Sequence, residues 1–210
     1  ALQISPPYVD TYDGFGLLKV NNSSVCGLSL VLSGATHTTT NPQVKSGLTV
    51  TRTLVASGRF LTYTDVLTNP TGSPISAVVR FGGDLGSDSD TAVGASSSGD
   101  TTLTVADTWV VTFQDATVDP GEADPVAGFK RVSATNATFG GWEGSSVGTP
   151  WAAGSTYLFA RYDVDVPAGG SATLVHVLYQ GVYDPSRTTV PPSEIAAAAA
   201  ALGDASAERA

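Results

Sequence analysis

The segment GLTVTRTLVASGRFLTYTDVLTNP, residues 47–70, decides the fold class of this chain. It is rich in Thr, Val, Leu, Phe and Tyr, which favour pleated strands. Ser57-Gly58 near its middle is typical of a two-residue hairpin turn. Short apolar runs separated by Gly, Ser and Asp turns continue to Asp115. The pattern predicts an all-β protein, built as a large antiparallel β-sandwich.

The predicted hairpin has one face toward the core and one toward solvent, because side chains alternate along a strand. The face richer in large aliphatic residues holds Leu48, Val50, Arg52, Leu54, Leu61, Tyr63, Asp65 and Leu67. A turn at Ser57-Gly58 pairs Arg52 with Tyr63 and makes Arg52 and Asp65 diagonal neighbours. We expect these two charges to pair, since an unpaired buried charge is costly.

Composition and charge argue against several classes of function. The 210 residues carry a formal net charge of −9, only 14% are charged, and the Lys and Arg residues are scattered. Without a basic stripe to neutralise phosphates, we expect no nucleic-acid binding and no attraction to an anionic membrane. No apolar run reaches the roughly 18 residues of a membrane span. Cys26 is the single cysteine, which rules out an intrachain disulfide.

The remaining sequence predicts one sandwich domain over residues 1–190 and a separate C-terminal element over residues 191–210. Residues 35–46 and 82–100 are expected to be loops, and residues 140–154 to be irregular. Ala196–Ala201 favours a short helix, with Ser193 as its candidate N-cap and Gly203 as its stop. This helix either docks on the sandwich or begins a tail or linker.

The middle of the chain also carries short motifs in a fixed order. They are Thr51-Arg52, Phe60…Tyr63…Leu67-Thr68-Asn69-Pro70-Thr71, Gly82-Gly83-Asp84-Leu85-Gly86-Ser87-Asp88, Ser98-Gly99-Asp100 and Asp107-Thr108-Trp109. This series resembles β-supersandwich modules of large secreted bacterial proteins, whose architecture is similar to the all-β domain of polysaccharide lyases and galactose mutarotases. The resemblance implies a multi-stranded sandwich within a multidomain protein, located in the extracellular space or at the cell surface. No catalytic residue transfers with it.

Four acidic residues in GGDLGSDSDTAVGASSSGD, residues 82–100, form a candidate calcium site: Asp84, Asp88, Asp90 and Asp100. Calcium takes several oxygen ligands from flexible loops, and Asp88-Ser89-Asp90 has the alternating spacing of such loops. The segment lacks the distal Glu of an EF-hand. The alternative is a solvated loop whose Asp and Ser side chains cap backbone groups. No other cofactor is indicated.

Two tryptophans and a glutamate form a candidate glycan-binding surface: Trp142, Glu143 and Trp151. Aromatic faces in a polar loop stack on sugar rings, while a nearby carboxylate bonds their hydroxyls. The alternative is that both indoles fold back and close one end of the sandwich.

No catalytic centre is recognisable in the sequence. His37 and His176 lack neighbouring His or Cys partners for a metal, and neither a G-x-S-x-G elbow nor a P-loop is present. We therefore expect a non-catalytic structural or adhesive module of a secreted or cell-surface bacterial protein, with a glycan or copies of itself as partner. The alternatives are a carbohydrate-binding module acting through Trp142 and Trp151, and a polysaccharide-active enzyme domain suggested by fold analogy alone.

Overall fold

A computed structural model of the chain describes residues 12, 14–26, 28, 30–87, 90–115, 124–182, 184 and 187–205. In this part, two antiparallel sheets enclose one main core, and a helix packs on the larger sheet. The prediction of an all-β sandwich with a short C-terminal helix is confirmed. The elements are β1 (Leu17–Val20), β2 (Ser23–Ser24), β3 (Leu30–Ser33), β4 (Thr36–Thr39), β5 (Gln43–Lys45), β6 (Leu48–Ser57), β7 (Phe60–Thr68), β8 (Ile75–Asp84), β9 (Thr91–Ser96), β10 (Trp109–Gln114), β11 (Ala127–Thr135), β12 (Ala137–Glu143), β13 (Tyr157–Val166), β14 (Ser171–Gln180) and α1 (Pro192–Asp204).

The two sheets differ in size and share their apolar inner faces. Among the described residues, the smaller sheet has the order β12-β13-β8-β1-β2, and the larger has β3-β4-β6-β7-β14-β11-β10-β9, with β5 added beside β6. The centre of the core is aromatic, and its largest fully buried side chains include Tyr12, Phe15, Tyr63, Phe81, Phe129 and Tyr162. Strand β12 forms one edge of the smaller sheet, and that edge borders the candidate functional site.

The turn between β6 and β7 consists of Gly58 and Arg59, one residue later than predicted. Gly58 has φ +59°, and glycine is favoured at the first position of a two-residue hairpin turn of type II′. The later turn shifts the cross-strand pairing by two positions and places Arg52 directly opposite Asp65. Because side chains alternate with a period of two, the shift leaves every side chain on its predicted face. The predicted core-facing set is therefore confirmed.

Arg52 and Asp65 form a buried, two-pronged ion pair in the centre of the core. Arg52 Nε lies 2.7 Å from Asp65 Oδ1, and Nη2 lies 3.0 Å from Oδ2. Arg52 Nη1 donates to the carbonyl of Gly16, at 2.5 Å, just before strand β1 of the other sheet. The rings of Tyr63 and Phe81 lie 4.8 and 5.5 Å from the guanidinium. The pair therefore links the larger sheet to the smaller one.

Three segments that were predicted to be loops or irregular contain strands. Residues 35–46 include β4 and β5, residues 82–100 include β9, and residues 140–154 begin with the last four residues of β12. These strands are polar or glycine-rich, so their sequences lack the apolar alternation that marks a strand. They form because each pairs with a neighbouring strand: β4 and β5 with β6, β9 with β10, and β12 with β13.

Helix α1 docks on the outer face of the larger sheet. Ala198 and Leu202 are fully buried, in a cluster with sheet residues that include Val111 and Tyr179. Gly128 of β11 leaves room for the helix, because a Cβ atom there would lie 2.8 Å from Leu202 Cδ1. The sequence left two alternatives for this helix, docking on the sandwich or the start of a tail or linker, and the structure shows docking. The described helix is too short to span a membrane.

The two ends of α1 differ from the predicted caps. The helix begins at Pro192 and has no side-chain cap, so the predicted N-cap at Ser193 is wrong. Proline suits the first helical position because its fixed φ is already helical. The helix continues one residue past Gly203, and Lys130 Nζ of β11 donates to the carbonyls of Leu202 and Ala205, at 2.5 and 2.6 Å. A cation from the sheet thus caps the negative end of the helix dipole.

His176 of β14 is fully buried between the sheets. Its Nε2 lies 2.9 Å from the hydroxyl of Tyr162, and its ring stacks on Phe81 with centroids 4.0 Å apart. Nδ1 has no hydrogen-bond partner among the residues described. Burial lowers the pKa of His176 well below its usual value, and the positive charge of Arg52 lowers it further. This histidine is therefore a neutral core residue.

The substitution Asp65→Asn should lower the free energy of unfolding by about 3–5 kcal/mol, because it leaves the buried Arg52 without a counter-charge. Urea unfolding followed by circular dichroism measures the loss. Asp165→Asn is the matched control, since Asp165 accepts one hydrogen bond from Ser76 at the surface. We expect the control to change stability by less than about 0.5 kcal/mol. Equal stabilities of the two variants would contradict the role given to the pair.

Stability should also depend on pH through His176. The unfolded chain binds a proton near the usual histidine pKa of 6.5, whereas the folded chain does not. The free energy of unfolding should therefore fall as pH drops below about 6.5, by at most about 1.4 kcal/mol per pH unit. Urea unfolding between pH 7.5 and 5 tests this, and His176→Phe should flatten the slope. The same slope in both proteins would show that other groups cause it.

Candidate functional site

A cavity of about 620 Å³ opens beside β12, the edge strand of the smaller sheet. We call it the edge pocket. One wall is the loop between β9 and β10, a second is β12 with the chain that follows it, and the floor carries two arginines. Its lining residues are Arg80, Leu103, Thr104, Val105, Gly140, Gly141, Trp142, Glu143, Gly148, Pro150, Trp151 and Arg161. The pocket thus contains all three residues predicted as the glycan-binding surface.

Glycines shape β12 at the mouth of the edge pocket. The pairing of β12 with β13 shifts between Phe139 and Gly141, and Gly141 has φ +136°. A Cβ atom on Gly140 would collide with the guanidinium of Arg161. A larger residue at this position would therefore force the guanidinium of Arg161 to shift.

The chain after β12 turns back and brings the two tryptophans together. Pro150 forms an isolated antiparallel bridge with Glu143. The amide of Trp151 then donates to the carbonyl of Trp142, at 3.0 Å. A backbone hydrogen bond thus joins two tryptophans that are nine residues apart in sequence.

Both indoles are buried, so the prediction that their faces stack on sugar rings is wrong. Trp142 is 5% exposed and Trp151 is 8% exposed. The Trp142 ring packs edge-on against Phe129 and Phe139, with centroids 5.2 and 5.3 Å apart. The large apolar area of an indole favours this burial over exposure in a loop. The rings close the end of the core, as the alternative interpretation holds.

The indole N–H groups are the unusual feature of these tryptophans. Neither Trp142 Nε1 nor Trp151 Nε1 has a hydrogen-bond acceptor among the described residues, although both atoms are buried. A buried N–H without an acceptor costs about 1–3 kcal/mol. Both residues line the edge pocket through other atoms, because each Nε1 atom is itself enclosed by protein.

Glu143 neutralises two arginines. Strands β8 and β13 place Arg80 and Arg161 directly opposite each other on the outer face of the smaller sheet. Like charges at this spacing repel, and Glu143 from β12 lies within reach of both. Its Oε2 is 2.5 Å from Arg80 Nε, and its Oε1 is 3.5 Å from Arg161 Nε. Glu143 is 6% exposed and both its oxygens face guanidinium groups, so it acts here as their charge partner, and its bonding to sugar hydroxyls stays a prediction.

Asp107 holds the loop that forms the wall of the edge pocket. Its carboxylate is buried and accepts hydrogen bonds from the amides of Ser98 and Thr104, at 2.9 and 2.8 Å, and from two side-chain hydroxyls. Burial alone would raise the pKa of Asp107, but the hydrogen bonds from Thr104 and Ser98 lower it well below its usual value. Arg131 Nε donates to the carbonyl of Asp107, at 2.9 Å, and fastens the loop to β11.

The structure gives the predicted calcium site no support. Asp84 ends β8 and accepts from the amide of Gly86, while Asp100 accepts from the amide of Thr102. Asp90 lies just before β9, and Asp88 lies outside the described residues. No group of three or more His, Cys, Asp or Glu side chains in the described ranges could hold an ion. Asp84 and Asp100 cap turns, because short carboxylates readily bond nearby backbone amides.

Sequence reasoning missed the arginines and the loop wall of the edge pocket. Arg80 and Arg161 lie 63 and 18 residues from Glu143 in opposite directions along the chain. Only the pairing of β8 with β13 brings them together. One feature of the sequence could have identified them: each arginine lies in an apolar strand, where a buried charge needs a partner.

No protein family and no curated protein sequence matches this chain. Among solved structures, a protein of the human microbiome assigned as a kojibiose phosphorylase has a similar fold. It matches with a TM-score of 0.55 and 7% identity over 98% of this chain and 28% of that chain. A polysaccharide lyase matches with a TM-score of 0.45 and 13% identity over 85% of this chain and 27% of that chain. An aldose 1-epimerase from Klebsiella pneumoniae matches with a TM-score of 0.41 and 11% identity over 84% of this chain and 57% of that chain.

These similarities concern the β-sandwich, since identities this low show the fold alone. The chain spans about a quarter of the length of the lyase and the phosphorylase. The phosphorylase, an enzyme that acts on a carbohydrate, shares this fold, and this finding overturns the prediction of a non-catalytic structural or adhesive module and the prediction that the chain is no enzyme. Both predictions were wrong because they rested on the lack of a local catalytic motif, and a fold can bring distant residues together without one.

The substitution Asp107→Asn should loosen the loop that walls the edge pocket, because one new N–H₂ group would face donors where a carboxylate now accepts. We expect faster hydrogen exchange at the amides of Ser98 and Thr104 and a loss of about 1–3 kcal/mol of stability. Asp100→Asn is the control in the same loop, since its carboxylate is exposed. Unchanged exchange at both amides would contradict this role.

Proposed function

We propose that this chain is a saccharide-binding β-sandwich domain of a carbohydrate-active enzyme, and that the edge pocket is its binding site. The fold shared with the phosphorylase, of which the chain spans 28%, supports a place within a larger enzyme. An extracellular or cell-surface location belongs to the same proposal. The low content of charged residues, 14%, and the many Thr and Ser residues of the sequence support it.

One observation carries this assignment: the edge pocket of about 620 Å³, whose lining combines apolar side chains with two arginines. Trp142 and Trp151 belong to the core cluster, so the core holds this part of the lining in place before any ligand arrives. A preformed lining loses little conformational entropy on binding. Sugars are dense in hydroxyl and ring oxygens, each of which accepts hydrogen bonds.

The size and chemistry of the edge pocket also suit a sugar. Its volume of about 620 Å³ lies within the range of small-molecule sites, about 300–1,000 Å³. The lining combines apolar surface from Leu103, Val105 and Pro150 with polar groups from the arginines and the indoles. A sugar ring presents the same combination, with C–H groups on its faces and hydroxyls on its rim. Recognition would depend on hydrogen bonds at the rim, because the indole faces are covered.

The substitution Trp151→Phe makes the lining of the edge pocket smaller while keeping an aromatic ring in the core. It should weaken saccharide binding about fivefold to tenfold, because the ligand loses contact with the missing part of the indole. Trp142→Phe should act in the same way. Isothermal titration calorimetry with oligosaccharides selected on a glycan array that includes neutral and acidic sugars measures the change.

The control is Trp109→Phe, because Trp109 packs in the cluster beneath helix α1. This variant should keep the affinity of the unchanged protein, and circular dichroism should show that all three variants fold. Two results would overturn the proposal. One is the absence of binding across the whole array, and the other is an unchanged affinity in folded Trp151→Phe and Trp142→Phe.

A further inference from the structure

A second cavity, of about 520 Å³, opens beside the turn between β6 and β7. We call it the hairpin cavity. Its described walls come from β4, from the hairpin of β6 and β7, from the end of β14 and from Tyr12. None of its described lining residues lines the edge pocket. Its volume lies within the range of small-molecule sites, about 300–1,000 Å³, so it has room for a ligand of its own.

The interior of the hairpin cavity is apolar, because the inner face of the larger sheet opens toward the hairpin turn. Along this face of β6, Val50 is fully buried, Leu54 is half-buried and Ala56 is exposed. On the same face, Leu61 of β7 pairs with Ala56, and Leu178 of β14 pairs with Leu61. Water in contact with such a surface is released when an apolar ligand covers it, which favours binding.

Arg59 is an exposed cation in the lining of this apolar cavity. Within the described ranges, its one side-chain hydrogen bond is long, at 3.4 Å from Nη1 to the hydroxyl of Tyr179. Four other described arginines each pair with a carboxylate: Arg52, Arg80, Arg161 and Arg187. A guanidinium carries five N–H donors, so Arg59 keeps most of its donors for a ligand.

The rest of the lining adds no negative charge. No Asp or Glu is among the described residues that line the hairpin cavity. Glu194 approaches Gly181 beside it, but its carboxylate already pairs with Arg187 and accepts from the amide of Val182, at 2.7 Å. His37 is half-buried in the lining, and its imidazole offers a further N–H donor. The polar part of the lining therefore suits an anion.

We infer that the hairpin cavity binds a lipophilic carboxylate, a molecule with an aliphatic or aromatic body and one carboxylate group. The body lies against Leu54, Leu61 and Leu178, and the carboxylate lies against Arg59. The buried apolar area supplies most of the affinity, and the guanidinium binds the carboxylate through two parallel N–H donors. A neutral lipophile would leave Arg59 without a counter-charge, and a saccharide lacks the apolar body. The inference does not rest on the proposed function, since it concerns a different cavity.

Matched ligands test the inference by isothermal titration calorimetry. Octanoate is compared with octanamide, and phenylbutyrate with phenylbutanamide, because each pair shares its apolar body and differs in charge. Each carboxylate should bind one site per chain, about threefold to tenfold more tightly than its amide. From butyrate through hexanoate to octanoate, affinity should rise about twofold to fourfold for each added methylene, since more apolar area is buried. All ligands are used below the concentration at which they form micelles.

Two variants separate the charge from the apolar surface. Arg59→Gln should weaken octanoate about threefold to tenfold and change octanamide less than twofold, which removes the preference for the carboxylate. Leu61→Ala should weaken both ligands by a similar factor, because it makes the apolar lining smaller. Lys45→Gln is the matched control, since it removes a positive charge from β5, which pairs with the end of β6 far from the turn. The control should change neither affinity, and circular dichroism should show that all three variants fold.

The position of the ligand provides an independent readout. Bound octanoate should shift the amide resonances of Gly58, Arg59 and Gly181 in two-dimensional NMR spectra, because all three residues line the hairpin cavity. Trp151→Phe should leave the affinity for octanoate unchanged, since Trp151 lines the edge pocket.

Three results would overturn the inference: no saturable binding of either carboxylate, equal affinities of carboxylate and amide in both pairs, or an unchanged affinity for octanoate in folded Arg59→Gln. Any of them would leave the saccharide proposal standing, because that proposal is tested at the edge pocket with other ligands and other variants. Conversely, a failure of saccharide binding would not affect the result with octanoate.

Discussion

The ion pair between Arg52 and Asp65 is the interaction on which the arrangement of the two sheets depends. It joins adjacent strands of the larger sheet, and a further N–H of Arg52 binds the carbonyl of Gly16 at the entry to the smaller sheet. A buried pair of this kind is tolerated only with well-formed geometry and satisfied hydrogen bonds. The pair therefore disfavours arrangements in which the sheets are displaced from each other, even if such arrangements bury as much apolar surface.

The position of the smaller sheet in turn determines the edge pocket. Strand β8 pairs with β1 on one side and with β13 on the other, so the sheet anchored near Gly16 also carries Arg80 and Arg161. Strand β12 completes the sheet and contributes Glu143 and the glycines that admit the guanidinium of Arg161. The loop held by Asp107 forms the opposite wall of the edge pocket. The candidate site is thus built at a sheet edge by residues from four separate parts of the chain.

Sequence patterns predicted the hairpin faces and the pairing of Arg52 with Asp65, because both follow from alternation along two adjacent strands. The register itself was displaced by two positions, since Ser57-Gly58 and Gly58-Arg59 are both acceptable turns by local composition. The sequence does not mark β4 and β9 as strands, because their stability comes from pairing with neighbouring strands. The three site residues Trp142, Glu143 and Trp151 do line one pocket, but as buried donors and a charge partner in place of an exposed stacking surface.

The sequence by itself determined the all-β class, the two faces of the central hairpin and the presence of a C-terminal helix. These features depend on the conformational preferences of each residue and on the spacing of apolar side chains within one or two strands. The tertiary structure decided which strands are neighbours. That choice places Arg80 opposite Arg161, puts Glu143 within reach of both and buries the indoles of Trp142 and Trp151. The physical reason is that charge compensation and core packing act between residues far apart in sequence, which meet only after the sheets have formed.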